Sequence, residues 1–274
     1  MSDRARVTDP DRRSLALIGP GRAGLSVAIA LSAAGWRVRG VAGRDLLAPS
    51  VHTAAARFGA VTGSAADVVA ADRIELVIVA CPDAAIGAVA AEIAPVVDAR
   101  TLVIHLAGSV GLDALSTLVC RIGALHPLQT MPTAELGAAR LAGSWCAIAG
   151  DPEVEHLARD LGMHPFPIAD ADRGSYHAAA CIASNHLVAL LAQVQACTTV
   201  PVDAFLPLVR ATVDNVGALG PAAALTGPVA RGDVETVRRH LDAIPDGERD
   251  AYRALARRAA VLAGRDPDLG GVLA

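Results

Sequence analysis

The sequence contains no lysine: all 24 residues counted as Lys plus Arg are arginine. Any mechanism that needs a lysine is therefore excluded, and a proton that moves must come from another side chain. Excess positive charge is missing too. With a net charge of -4, a pI near 6.0 and no basic arm, the chain lacks the clustered cations of a nucleic-acid-binding surface. No two cysteines are spaced as CxxC. The five (Cys81, Cys120, Cys146, Cys181 and Cys197) are odd in number and widely separated, so neither a disulfide framework nor a metal site is expected. Reduced thiols in a cytoplasmic protein are the expectation.

The N-terminus, MSDRARVTDPDRR, is charged and has no apolar run of the kind a signal peptide needs, so residues 1–13 read as a disordered tail. One stretch, Gly174 to Val202, carries no formally charged side chain and is long enough for a membrane span. It also carries His177, Asn185, His186, Gln193 and Gln195, which are costly in hydrocarbon. It reads instead as a helix buried in protein or at a dimer interface, with no membrane involved.

From Ser14 to about Ile168, short β-branched runs alternate with alanine-rich helical stretches, the pattern of βαβ units in a mostly parallel α/β sheet. The expected strands are Leu15–Ile18, Arg37–Ala42, Ala60–Thr62, Leu76–Ala80, Leu102–His105, Ile122–Leu125, Trp145–Ala149 and His164–Ile168. The runs LALI, LVIVA and LVIH are apolar without alternation, as central strands covered on both faces should be. Gly35 is placed to end the first helix, and Asp151-Pro152-Glu153 to begin another that stops at Gly162. Beyond about Ala169 strand signals vanish, and helices are expected at Arg173–Cys197, Asp203–Gly217, Pro221–Leu225, Asp233–Ile244 and Gly247–Ala263. The organisation is thus a Rossmann-type domain over residues 14–170 and a smaller all-α domain over 171–274.

Gly19-Pro20-Gly21-Arg22-Ala23-Gly24 is a GxGxxG pattern that follows the first strand and opens the first helix. The first glycine permits the tight turn, the second lets main chain approach a diphosphate, and the third lets helix and strand pack closely. The helix N-terminus then offers unpaired amides and the positive end of its dipole. About 20 residues on, where an acid would hold the ribose hydroxyl of NAD, the chain reads Gly43-Arg44. Arginine pairs with phosphate, so NADP is expected, with Arg22 a possible second contact. The competing reading makes Asp45 the acid. Cys81-Pro82-Asp83 and His105-Leu-Ala-Gly108-Ser109 end two further strands and should border the nicotinamide ribose, Cys81 as a small wall residue.

His126 and Pro127 end the sixth strand, and the proline is expected to push the histidine into a loop on the ligand side. There His126 is the first candidate to supply the proton that accompanies hydride addition to a carbonyl or imine. A second cluster opens the long uncharged helix: Tyr176 and His177, then Cys181, Ser184 and Asn185. At α-helical spacing His177, Cys181, Ser184 and Asn185 share an arc of about 100°, a polar stripe that wants a substrate, a cofactor carboxamide or a neighbouring helix. Leu225–Asp233 reads as a turn between helices, with Arg231 within reach of a substrate carboxylate.

The succession GPGRAG, CPD, LHPLQTMP, YHAAACIASN and LTGPVARGD resembles an uncharacterised bacterial family that joins a Rossmann-like domain to a helical domain of unknown function. That family is similar in plan to ketopantoate reductase, pyrroline-5-carboxylate reductase, prephenate dehydrogenase and the 6-phosphogluconate dehydrogenase group. The resemblance implies nicotinamide oxidoreductase chemistry on a small-molecule substrate and a homodimer formed through the helical domain. Relatives of this plan place a proton-donating lysine on the first helix of the second domain. This chain has none, which leaves His177, His126 or Tyr176. Asn185 falls where such enzymes place a substrate-binding asparagine, and His126 resembles the catalytic histidine of prephenate dehydrogenases. The expected activity is an NADP(H)-dependent oxidoreductase. The alternatives are a ketopantoate-type reductase with another proton donor and a non-catalytic NADP-binding sensor or scaffold.

Overall fold

The structure is a computed structural model that describes residues 13–71 and 73–274; the expected tail lies outside the described residues except for Arg13. Arg13 is held by its Nη1, which donates to the Ala34 carbonyl at 3.2 Å, and by an ion pair with Asp160. Eight strands form one sheet: β1 (Ser14–Ile18), β2 (Arg37–Ala42), β3 (Val61–Thr62), β4 (Leu76–Val79), β5 (Leu102–His105), β6 (Arg121–Pro127), β7 (Trp145–Gly150) and β8 (His164–Pro167). Their order is β3-β2-β1-β4-β5-β6-β7-β8, and every pair is parallel except β6 with β7. The chain is an α/β protein with a Rossmann-type sheet followed by helices.

Within the sheet the apolar runs are buried on both faces. Leu15 and Leu17 of β1 join Leu76, Ile78, Leu102 and Ile104 in one core, whereas Ala16, Ile18, Val77, Val79 and Val103 point to the other, as a period of two requires. Helices α1 (Arg22–Ala33), α2 (Pro49–Phe58), α3 (Ala65–Ala70), α4 (Ile86–Ile93), α5 (Ala134–Ala139) and α6 (Glu153–Asp160) cover these faces. Gly35, at φ +92°, follows α1 in the left-handed region that glycine tolerates. Asp151 does two jobs. Its Oδ1 accepts from the Glu153 amide at 2.9 Å, opening α6, and both its oxygens pair with Arg121.

The remaining helices are α7 (Arg173–Cys181), α8 (Leu187–Cys197), α9 (Leu206–Leu219), α10 (Pro221–Ala224), α11 (Pro228–Arg231), α12 (Val234–Ala243) and α13 (Arg249–Leu262). The described residues divide into two compact units, the first ending at Cys181 and the second running Ile182–Ala274. The second unit has its own small core of Val237, Leu241, Ala256, Ala260, Leu269 and Leu273. In the same unit Gln193 donates to the Glu248 carbonyl at 3.0 Å. Among the described residues one helical stretch, Asp170–Cys197, is long and apolar enough by length and composition to cross a membrane. None of its most apolar window is buried.

Two sequence expectations are corrected and a third is refined. Pro127 does not expel His126 from the strand. A residue before proline favours extended backbone, and β6 therefore continues through His126 and Pro127 while β7 pairs alongside. The expected continuous helix 173–197 is interrupted by a π-helical turn at Ile182–His186. One wide turn departs from the 100° per residue on which the expected polar stripe was read. The expected turn at 225–233 contains the single-turn α11, ended by Gly232 at φ +74° and followed by Asp233, whose carboxylate accepts from the Thr236 amide.

Candidate active site

The glycine loop joins β1 to α1 at the carboxyl end of the sheet, between the ends of β2 and β4. Gly19, at φ +92°, donates its amide to the Ala42 carbonyl at 2.8 Å, and a Cβ there would come within 2.6 Å of the Ala80 carbonyl oxygen. At Gly24 a Cβ would stand 2.5 Å from the Gly19 oxygen and 2.8 Å from the Ala80 Cβ. Gly21 differs. Its backbone is extended, nothing lies within 4 Å of a Cβ built on it, and no side chain caps the start of α1. Two glycines are thus demanded by packing, and the middle one leaves open space in front of unpaired helix amides. That is a cradle the fold itself has no need of, and it fits a diphosphate.

The half-buried Pro20 is part of this loop, and the exposed Arg22 and Ala23 follow it into α1. Gly43 and Arg44 directly follow β2. A Cβ on Gly43 would meet Val51 at 2.6 Å and Pro20 at 3.7 Å, which keeps this turn close to the glycine loop. Arg44 is exposed, and no ion pair or hydrogen bond engages it among the described residues. Asp45, the competing acid, has Oδ1 occupied by the Leu47 amide at 2.9 Å. Cys81 and Pro82 follow β4, and burial raises the Cys81 thiol above its ordinary value, against a resting thiolate. Asp83 accepts from the Ser109 hydroxyl at 2.7 Å.

At the ends of β5 and β6 a second constellation gathers. β5 stops at His105, opposite Ala124, so β6 outruns it by Leu125, His126 and Pro127. The half-buried His126 turns its Nδ1 to the Tyr176 hydroxyl of α7 at 2.7 Å, and its ring lies 5.7 Å from that of His177. Both histidines converge on Gly108, where a Cβ would stand 2.6 Å from His177 Nδ1 and 2.9 Å from His126 Nε2. His177 Nε2 lies 3.8 Å from Cys181 Sγ. The edge of Phe166 packs on Tyr176 with ring centroids 5.8 Å apart.

Electrostatics here are dominated by burial. Desolvation, reinforced by the neighbouring His177 and Arg173, lowers His126 to about 4. His105 is fully buried, and desolvation and then Arg173 lower it also to about 4, with weaker opposing pulls from the Gly111 backbone, Asp83 and Asp170. Desolvation and then Cys146 push Tyr176 up to about 12. At neutral pH both rings are uncharged and the phenol keeps its proton. With the proton on Nδ1, His126 donates to the Tyr176 oxygen and leaves the phenolic hydrogen free to donate onward.

Sequence reasoning named Arg173 only in passing, yet it is the group with the most unusual environment. Its exposure is 0%; Nε donates to Asp170 Oδ1 at 2.8 Å, and Nη1 and Nη2 have no partner. The signal available in the sequence was the i, i+3 spacing of Asp170 and Arg173 at the start of a helix. Asn185 lies in the π-helical turn of the second unit and is exposed. Among the described residues no group of three or more His, Cys, Asp or Glu could hold a metal ion. A cleft of about 830 Å³ bordered by Trp36, Thr101 and Arg121 lies at the amino ends of β4 to β6, away from these loops.

Comparison with known proteins agrees with this architecture. Residues 2–132 match a Rossmann-like domain, and residues 145–259 match a domain of unknown function, DUF2520. No curated protein matches the chain. Among solved structures it is similar to a Bacteroides fragilis protein provisionally named an NADP oxidoreductase, at 25% identity and a TM-score of 0.74, over 93% of this chain and 98% of that one. A Thermotoga maritima protein shares 21% identity at a TM-score of 0.71, covering 91% and 99% of the two chains. An imine reductase from a Pseudomonas species shares 18% identity at a TM-score of 0.65, covering 96% and 100%. The chain is therefore similar to a Rossmann-like domain in its first half and to DUF2520 in its second, the pairing that its motif order resembles.

Proposed function

We propose that this protein is an NADP(H)-dependent oxidoreductase that moves a hydride to or from a small carbonyl or imine compound. The observation that carries the reading is the contrast at the glycine loop. Gly19 and Gly24 are jammed against main chain, whereas Gly21 opens onto free space above the uncapped N-terminus of α1. NADPH, when bound, supplies a hydride. Around it the chain's own residues have separable tasks. The amides that open α1 hold the diphosphate, and Arg44, unengaged at the end of β2, pairs with the 2′-phosphate. Tyr176 holds a proton at its hydroxyl for the substrate, and His126 fixes that hydroxyl through Nδ1. His126 itself is a weak acid reservoir at neutral pH, since burial keeps its ring uncharged.

The named chemistry of the similar structures, an NADP oxidoreductase and an imine reductase, supports the same class. In this reading residues 14–170 bind the cofactor, and residues 171–274 complete the substrate site and form a homodimer in the cytoplasm. Exposed apolar residues on the second unit, among them Val188, Leu208 and Val213, support a second copy as their cover. Calorimetric titration with NADPH, followed by a search for NADPH oxidation over keto acids, aldehydes and imines, tests the proposal. Micromolar NADPH binding with turnover of one class is the expected result. No binding to the intact chain overturns it, and binding with no turnover on any compound favours the sensor.

A further inference from the structure

Buried polar atoms without partners are rare in folded proteins, because each costs a lost hydrogen bond in a medium that cannot replace it. Five of the seven such side-chain atoms among the described residues belong to His105, Arg173 and His177. They are gathered at the carboxyl ends of β5 and β6, beside the His126–Tyr176 pair. Arg173 is the extreme case. A guanidinium cannot shed its charge, so burial leaves it only the option of finding an anion. Asp170 meets that need in part: Oδ1 takes Nε, while Oδ2 accepts from the Leu112 amide at 3.0 Å. The Asp170 side chain is 46% exposed, so water screens much of its charge. Asp83 is engaged with Ser109, and the nearby His105 and His126 are uncharged at neutral pH.

We infer that Arg173 is the seat of a ligand carboxylate, and that the substrate of this site is a small acid, an oxo acid or imino acid whose carboxylate takes Nη1 and Nη2. The inference rests on the oxidoreductase reading for the word substrate, but the carboxylate seat stands on Arg173 itself. A planar carboxylate matches the guanidinium fork with two parallel N–H···O bonds. The count of charges favours it over phosphate. With Asp170 already ion-paired at Nε, a monoanionic carboxylate on Nη1 and Nη2 adds one negative charge here, whereas a phosphate dianion would add two. Arg173 and Tyr176 stand three residues apart on α7, on neighbouring turns of one helix.

The test is calorimetry on the full chain with pyruvate, phenylpyruvate and 2-oxoglutarate, each against its neutral amide, with inorganic phosphate as a further probe. At least one acid is expected to bind roughly 30-fold or more tightly than its amide, and R173Q to lose roughly 100-fold of that affinity, with R173K in between. NADPH affinity should be unchanged in R173Q, with circular dichroism confirming its fold. The acid–amide comparison on the unaltered chain needs no variant. Equal affinity of acids and amides, failure of every acid to bind, or R173Q binding as the parent does, overturns the carboxylate seat; so does Arg173-dependent binding of phosphate alone. Acid binding without NADPH binding would instead sink the oxidoreductase reading and leave the seat standing.

Discussion

His126 Nδ1 and the Tyr176 hydroxyl stand 2.7 Å apart although 50 residues separate them in the chain. The contact exists because β6 runs three residues past the end of β5 and α7 begins shortly after β8. A strand end and a helix therefore share one hydrogen bond at the rim where ligands of open α/β sheets bind.

If that bond orients a proton donor, Y176F should lower kcat by roughly 100-fold or more, the usual scale for a lost general acid. NADPH affinity should change little, and stability by about 1 kcal/mol. H126Q should lower kcat less, because it removes the positioning partner and not the proton. Steady-state kinetics beside a thermal melt give the answer. Unaltered turnover in Y176F would move the proton elsewhere.

The open position at Gly21 allows the fold and the ligand to be separated. In G21V the new Cβ has nothing within 4 Å in the protein and the backbone already has a φ that any residue adopts. The melting temperature is expected to hold within about 2 °C, in line with surface substitutions. NADPH affinity is expected to fall more than roughly tenfold as main chain and diphosphate are forced apart. A variant that binds NADPH as well as the parent would show that the diphosphate lies elsewhere.

Arg44 carries the choice between the two nicotinamide cofactors. R44D is expected to weaken NADPH by roughly 100-fold while NADH changes only a few-fold, since just one of them presents a 2′-phosphate. Parallel titrations decide, and equal changes would remove the basis for preferring NADP.

Stability should depend on pH in a particular window. His105 and His126 are lowered from about 6.5 to about 4, so the unfolded chain binds more protons than the folded one between these values. The stabilisation these neutral rings contribute is present above pH 6.5 and is lost as pH falls toward 4. Denaturant unfolding at pH 5 should take up close to two protons from this pair, a slope of roughly 2 kcal/mol per pH unit. H126N should remove about half of that slope. A flat stability between pH 7 and 5 would show that the rings are not desolvated.

Much of the first unit was legible because its central strands are short, apolar and punctuated by glycine. LALI, LVIV and LVIH read as strands since burial on both faces leaves no other use for such runs. The loop at Gly19 was legible for the same reason, since motif and strand fell in register. The position of His126 was legible only to one residue, for a proline can end a strand or lie at its edge, and only the pairing with β7 decides. The π-helical turn left no mark in composition. Nor did the orphaned Nη1 and Nη2 of Arg173: the i, i+3 spacing to Asp170 marks an ion pair but carries no sign that the guanidinium is buried.

The way β6 outruns β5 bears on how this protein can diverge. His126 takes its direction from the pleat of a hydrogen-bonded strand, so residues 128–133 beyond it can lengthen or shorten and reshape the rim without turning the imidazole. A single deletion between Arg121 and His126 would have the opposite effect, inverting the pleat and carrying the ring to the far face of the sheet.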